Sequence, residues 1–81
     1  MMKLYIKTWC PWCIDAVNWL QSRGYHFEKI DVLADRAAYD RMTQISGQRL
    51  TPTLEIASGD VLPDFDTRQL EKFLKAHNIQ P

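Results

Sequence analysis

With 81 residues the chain has room for one domain, residues 1–81, and its 46% hydrophobic content is enough for a single modest core. Ten basic side chains balance ten acidic ones, so the basic footprint of a nucleic-acid binder or of a polybasic membrane patch is absent. No apolar run reaches the length of a membrane-spanning helix, and Met1-Met2-Lys3 leads straight into a strand-like segment without space for a signal peptide. A cytoplasmic location, with no nucleic-acid or membrane partner, is the expectation.

Lys3 to Lys7 reads as a strand, with Leu4 and Ile6 on one face and Tyr5 on the other, so both faces of its sheet can be covered. Pro11 to Arg23 reads as a helix. Pro11 suits the first helical position, Cys13, Ala16, Val17 and Leu20 form one stripe, and Gly24 is a natural stop. His26 to Val32 reads as a second strand, with Phe27 and Ile30 as its core contributors. A strand-helix-strand unit of this size implies parallel pairing. A second helix is predicted from about Ala34 to Ile45, on the spacing of Ala38, Met42 and Ile45, with Gly47 ending it and no evident N-cap.

Thr53 to Ala57 reads as a third strand. Ser58-Gly59-Asp60 then makes a tight hairpin turn into a short strand, Val61-Leu62, closed by Pro63 at a sheet edge. The last helix has the clearest start: Asp66 and Gln69 make a capping box, Phe65 and Leu70 a hydrophobic staple. Leu70, Phe73 and Leu74 follow as its buried stripe. The order β-α-β-α-β-β-α predicts an α/β fold, a small four-stranded mixed sheet flanked by helices on both faces.

Cys10-Pro11-Trp12-Cys13 carries the chemistry. These are the only two cysteines, three apart, placed between a strand and a helix. A thiolate at a helix N-terminus is stabilised by unpaired backbone N–H groups and the macrodipole. Zinc would need four ligands, but there is no second cysteine pair, and His26 and His77 are far apart in sequence. Two inert buried cysteines are the bland alternative. A βαβ unit around the motif favours a reversible disulfide.

Thr8-Trp9-Cys10-Pro11-Trp12-Cys13 resembles the dithiol glutaredoxin signature, with Trp12 where Tyr is usual, on what resembles a thioredoxin-like fold. Gly47-Gln48-Arg49-Leu50-Thr51-Pro52-Thr53 resembles the family's later proline segment. The resemblance implies that Cys10 is a partly exposed nucleophile of lowered pKa and Cys13 the resolving thiol. It implies a cis bond before Pro52, with Thr51 offering backbone groups to an incoming peptide or glutathione; the plain alternative is a proline at a strand start. Lys7 matches a lysine that steadies the thiolate and a glutathione carboxylate, and Arg49 is either a second carboxylate contact or a solvated charge. Trp12 flanks the substrate cleft. Asp66 matches the acid that receives the glutathione amino group, beside its role as N-cap. Trp19 is expected in the core, and Glu55 at a solvated margin, the alternative being a buried acid of raised pKa acting on Cys13.

One departure stands out. The family's Gly-Gly before the last helix aligns with Leu62-Pro63, so side chains fill a space used by backbone and Pro63 offers no N–H. The resemblance therefore implies a dithiol–disulfide oxidoreductase that binds glutathione weakly. No cofactor is bound, glutathione is the cosubstrate, disulfide-bearing proteins are partners, and a monomer is expected. The alternatives are a protein reduced by thioredoxin reductase, or a binding module holding an iron–sulfur cluster between two subunits.

Overall fold

The computed structural model describes residues 1–81, and its elements follow the predicted order. They are β1 (Met2–Ile6), α1 (Pro11–Ser22), β2 (Phe27–Asp31), α2 (Arg36–Ser46), β3 (Thr53–Glu55), β4 (Val61–Pro63) and α3 (Thr67–Ala76). The sheet runs β2-β1-β3-β4, with β1 parallel to β2 and antiparallel to β3, and β4 antiparallel to β3. Leu4 lies opposite Leu54, and Tyr5 opposite Thr53.

The alternation in β1 divides the core. Leu4 and Ile6 join Leu54 beneath α1 and α3, where Cys13, Ala16, Leu20, Leu70 and Leu74 are buried. Tyr5 faces the other way and packs with Val32 and Met42 under α2. Phe27 and Ile30 contribute to opposite clusters, as residues three apart in a strand must. The capping box on α3 forms as expected: Gln69 N–H donates to Asp66 at 2.8 Å, and the Gln69 side chain accepts from Asp66 N–H at 3.0 Å.

Several boundaries shift for local reasons. α2 starts at Arg36 rather than Ala34, because the Asp35 carboxylate caps it by accepting from Ala38 N–H at 3.2 Å. Gly47 ends α2 at φ 70°, a conformation that suits a residue without a Cβ. β3 stops at Glu55 because Ile56 N–H already pairs with the Asp60 carbonyl inside the hairpin turn. Trp19 is half-buried rather than in the core. It stacks on Tyr25 with ring centroids 5.9 Å apart, and the Arg23 guanidinium lies 4.1 Å from its ring centroid.

Glu55 takes neither of its expected roles in full. It is mostly buried, and it lies on the Tyr5 face of the sheet, across from Cys13. Tyr5 Oη–H donates to one carboxylate oxygen at 2.8 Å, and Arg41 of α2 donates to the other at 2.7 Å. Burial pushes the Glu55 pKa up, but the Arg41 and Tyr5 hydrogen bonds and the Arg41 charge outweigh it and hold the carboxyl below 4.5. The raised-pKa alternative is thus overturned: Glu55 fastens α2 to the sheet.

A carboxyl whose pKa is depressed on folding adds stability that is fully present above its unfolded value and lost as pH falls through its folded value. Glu55→Gln is expected to cost about 1 kcal/mol near neutral pH, a modest figure because Arg41 is largely exposed. The variant should also lose less stability than wild type on acidification below pH 4.5, the ordinary glutamate value. Denaturant unfolding from about pH 7 to about pH 3 checks both expectations.

Candidate redox site

α1 begins on a sulfur. Cys10 is its N-cap, in extended conformation, and Cys10 Sγ accepts from Cys13 N–H at 3.3 Å, the place a Ser or Asp oxygen usually takes. Pro11 follows at the first helical position, where its missing N–H is no loss. Cys10 N–H closes the preceding turn onto the Lys7 carbonyl at 3.1 Å. From the opposite side, Cys10 Sγ–H donates to the Thr51 carbonyl at 3.6 Å, and the Thr51–Pro52 bond is cis.

This seat makes the two thiols unlike. Burial pushes Cys10 up, but hydrogen bonds from the Cys13 side chain and backbone, with others from Thr51 and the Trp12 backbone, outweigh it and bring the thiol below its ordinary 9.0. Cys13 is pushed up to about 11, first by burial and then by donating its own hydrogen bond to Cys10. One expectation is corrected here. Cys10 is only 5% exposed, not partly open, with the Thr51 carbonyl against its sulfur. The exposure goes to its neighbours instead, Trp9 at 68% and Trp12 at 60%.

The remaining predicted residues fall into two groups. Thr51 meets Cys10 directly with Pro52 next to it in the chain, Lys7 lines a cavity with Cys13, and Asp66 is reached from the motif through Trp12. Lys7 Nζ reaches the Arg49 carbonyl at 3.5 Å and lies 5.9 Å from the Trp9 ring centroid, tying the two site loops together. Trp12 forms one wall of a shallow hollow of about 370 Å³ whose far side is Asp64, Phe65, Asp66 and Gln69. Asp66 spends one oxygen on its own helix and leaves the other free for the hollow. Arg49 stands apart: its side chain lines a separate polar hollow with Arg36, Tyr39, Asp40 and Thr43 of α2.

Leu62 is half-buried against the main core and Pro63 is exposed at the end of β4. Asp64 follows at φ 47°, a left-handed conformation more readily reached by Asp than by most side chains. A support missed in the sequence holds the Thr51 turn. Gln48 Nε2 donates to Thr53 Oγ1 at 3.1 Å and to Ser46 Oγ at 3.0 Å, and Thr53 Oγ1–H donates to the Leu50 carbonyl at 2.9 Å. Ser46, Gln48 and Thr53 carry no sequence signal for this pairing, because they stand at a helix end, in a loop and at a strand start, and only the fold brings them together. No three His, Cys, Asp or Glu side chains are grouped to hold a metal within the chain.

The glutaredoxin family profile matches residues 2–61. A glutaredoxin-like 8.6 kDa protein of the rubredoxin operon of Clostridium pasteurianum is 27% identical over 75 residues, covering 93% of this chain and 99% of that one. The crystal structure of the thioredoxin-like protein BC3987 superposes with a TM-score of 0.81 at 28% identity, over 91% of this chain and 100% of its own. The glutaredoxin-like protein NrdH-redoxin from Escherichia coli, described with a thioredoxin-like activity profile, superposes with a TM-score of 0.72 at 22% identity, over 88% and 91% of the two chains. These neighbours share the thioredoxin-like fold.

The asymmetry of the thiols is testable directly. With reduced protein, iodoacetamide should modify Cys10 first at every pH below 9.0, and the Cys10 rate should level off while Cys13 is still protonated. Peptide mapping of partly alkylated protein across pH reads the order, and faster modification of Cys13 would reverse the assignment.

Proposed function

The chain belongs to the glutaredoxin family, and we propose that it is a thiol–disulfide oxidoreductase in which Cys10 attacks and Cys13 resolves. The observation that carries this reading is the double use of Cys10 Sγ, as the N-cap of α1 and as the partner of the Thr51 carbonyl. A thiolate there keeps the Cys13 N–H donor and loses only a proton that a weak acceptor held.

The Cys10 thiolate attacks a substrate disulfide, and one substrate sulfur leaves with the electron pair of the broken bond. Cys13 then gives up its proton and attacks Cys10 Sγ, closing an intramolecular disulfide and releasing the second substrate thiol. Thr51 stands against Cys10, so an extended chain laid beside Pro52 brings its sulfur to Cys10. Trp12 and the hollow toward Asp66 take the flanking group, and Lys7 adds positive charge beside the thiolate. Substrates in this reading are protein disulfides and glutathione mixed disulfides, in the cytoplasm.

A second reading concerns the electron donor. Pro63, which has no N–H, aligns where glutathione would use glycine backbone, although the Leu62 side chain turns into the core instead of that space, and the Escherichia coli neighbour is a glutaredoxin-like protein described as thioredoxin-like in activity. Both favour thioredoxin reductase over glutathione as the source of electrons.

Cys10→Ser is expected to abolish all disulfide exchange. Cys13→Ser should keep activity on glutathione mixed disulfides, which need one thiol, and lose most reduction of protein disulfides. Oxidised wild-type protein challenged separately with glutathione and with thioredoxin reductase identifies the donor. A Leu62→Gly/Pro63→Gly protein that folds normally should gain glutathione-dependent turnover, about tenfold for each ~1.4 kcal/mol recovered. No gain would show that the missing glycines do not limit glutathione use.

A further inference from the structure

A cavity of about 170 Å³ opens beside Cys13 and shares no lining residue with the Trp12 hollow. Its wall includes Cys13, whose residue is only 1% exposed, together with Ile14 and Asn18 of α1. Two lysines complete its lining: Lys7 from the turn after β1, whose ammonium reaches the Arg49 carbonyl, and Lys29 from β2. Lys29 pairs in register with Leu4, so it lies on the core-facing side of the sheet, where Phe27 packs two residues earlier. At the sheet edge Lys29 is exposed, so its ammonium stays hydrated while the residue lines the cavity. No acid pairs with it, because the ion pairs of the chain are Arg36–Asp40, Arg41–Glu55 and His77–Asp60. Asp31, also on this face, accepts from Leu33 N–H and does not line the cavity.

We infer that Lys29 is a positioning residue for the resolving step: it places positive charge on the open side of Cys13 and favours the thiolate that attacks the mixed disulfide. The inference rests on the redox assignment proposed above. In that step Cys10 Sγ is bonded to a substrate sulfur. The Cys13 thiol releases its proton to solvent through the cavity, and its electron pair forms the new bond to Cys10 Sγ. The bond from Cys10 to the substrate breaks, and its pair leaves on the substrate sulfur, which takes a proton from solvent. The two cysteines lose two electrons and the substrate disulfide gains them.

The need for such help follows from the burial of Cys13, which pushes its thiol up. Few resolving thiolates exist at neutral pH unless charge favours them. The charged residues lining the cavity with Cys13 are Lys29 and Lys7, the latter with its ammonium turned to the Arg49 carbonyl, while α1 offers only neutral Ile14, Val17 and Asn18. On its other side Cys13 meets Cys10 and Thr51. No carboxylate stands there to serve as a general base, so Lys29 acts by stabilising the anion.

The test uses the reduced full chain and one equivalent of 2,2′-dithiodipyridine, a neutral disulfide whose encounter with the protein does not depend on lysine charge. Attack by Cys10 releases the first pyridinethione and resolution by Cys13 the second. Lys29→Gln should slow the second release about three- to tenfold near neutral pH, Lys29→Glu should slow it further, and Lys29→Arg should restore it. The first release should stay within about twofold of wild type in all of them, because Cys10 does not line the cavity. The midpoint of the second release against pH should move upward in Lys29→Gln and further in Lys29→Glu. An unchanged second release in both variants, or equal slowing of the two releases, would overturn the inference. Cys13→Ser serves as the separate check on the underlying assignment: it must give one release only, and two releases would remove the redox reading itself.

Discussion

The site depends on one sulfur serving two structural purposes. Cys10 caps α1 by accepting from Cys13 N–H, and it meets the turn before β3 by donating to the Thr51 carbonyl. A serine in the same place would cap the helix as well, so helix formation alone does not call for cysteine. What cysteine adds is a group that can lose its proton and keep the cap, since a thiolate is a better acceptor of the same N–H. The chemistry and the local fold therefore support one state: ionising Cys10 strengthens the start of α1. Cys13 lies on the buried stripe of the same helix, and its proton is retained by burial. Two residues of one kind, one turn apart, thus differ because one stands at the end of the helix and the other faces the core.

Holding that sulfur in place falls to the sheet and the turns at its edge. β1 ends at Ile6, next to Lys7 whose carbonyl accepts from Cys10 N–H, and β3 starts at Thr53, just after Pro52. Because β1 and β3 pair directly, the two turns emerge together at the same end of the sheet. Their approach is then fixed by polar contacts: Lys7 to the Arg49 carbonyl, and Gln48 across to Thr53. On the opposite face, the Tyr5–Glu55–Arg41 contacts hold α2, whose C-terminal end leads into the Thr51 turn. A polar network on one face thereby sets where a carbonyl stands at the site.

Much of this was legible in the chain. The alternation of Leu4, Tyr5 and Ile6 predicts a strand covered on both faces, and the two core clusters follow that alternation. Asp66 and Gln69 predict the start of α3 because a capping box is written in four consecutive residues. Long-range polar partners were not legible. Glu55 reads as an acid in a strand, and only the register of β1 against β3 and the placement of Arg41 on α2 reveal what it holds. The burial of Cys10 was missed for the same reason. Sequence spacing places it at a helix start, where a side chain is ordinarily open, and the closure comes from Thr51, forty-one residues away. Asp35 as the cap of α2 was available in the sequence, but the apolar spacing of the helix begins later and left it unremarked.

The substrate-facing side carries a tension that the fold does not resolve by itself. Lys7 near the Thr51 turn and Asp66 beyond Trp12 place opposite charges at the two ends of the site, an arrangement suited to a short zwitterionic ligand such as glutathione. The stretch between them is less suited. Pro63 removes a donor, Leu62 is turned into the core, and Asp64 is left-handed and brings a second acid beside Asp66. The backbone of the β4–α3 connection thus offers few polar contacts, while exposed Trp9 and Trp12 offer broad apolar ones. Apolar contact of that extent favours a protein surface over a tripeptide, because a larger partner covers both rings at once and removes their area from water. On the redox reading proposed above, the charged ends would orient a docking partner, and the exposed tryptophans would supply its apolar contact beside Cys10.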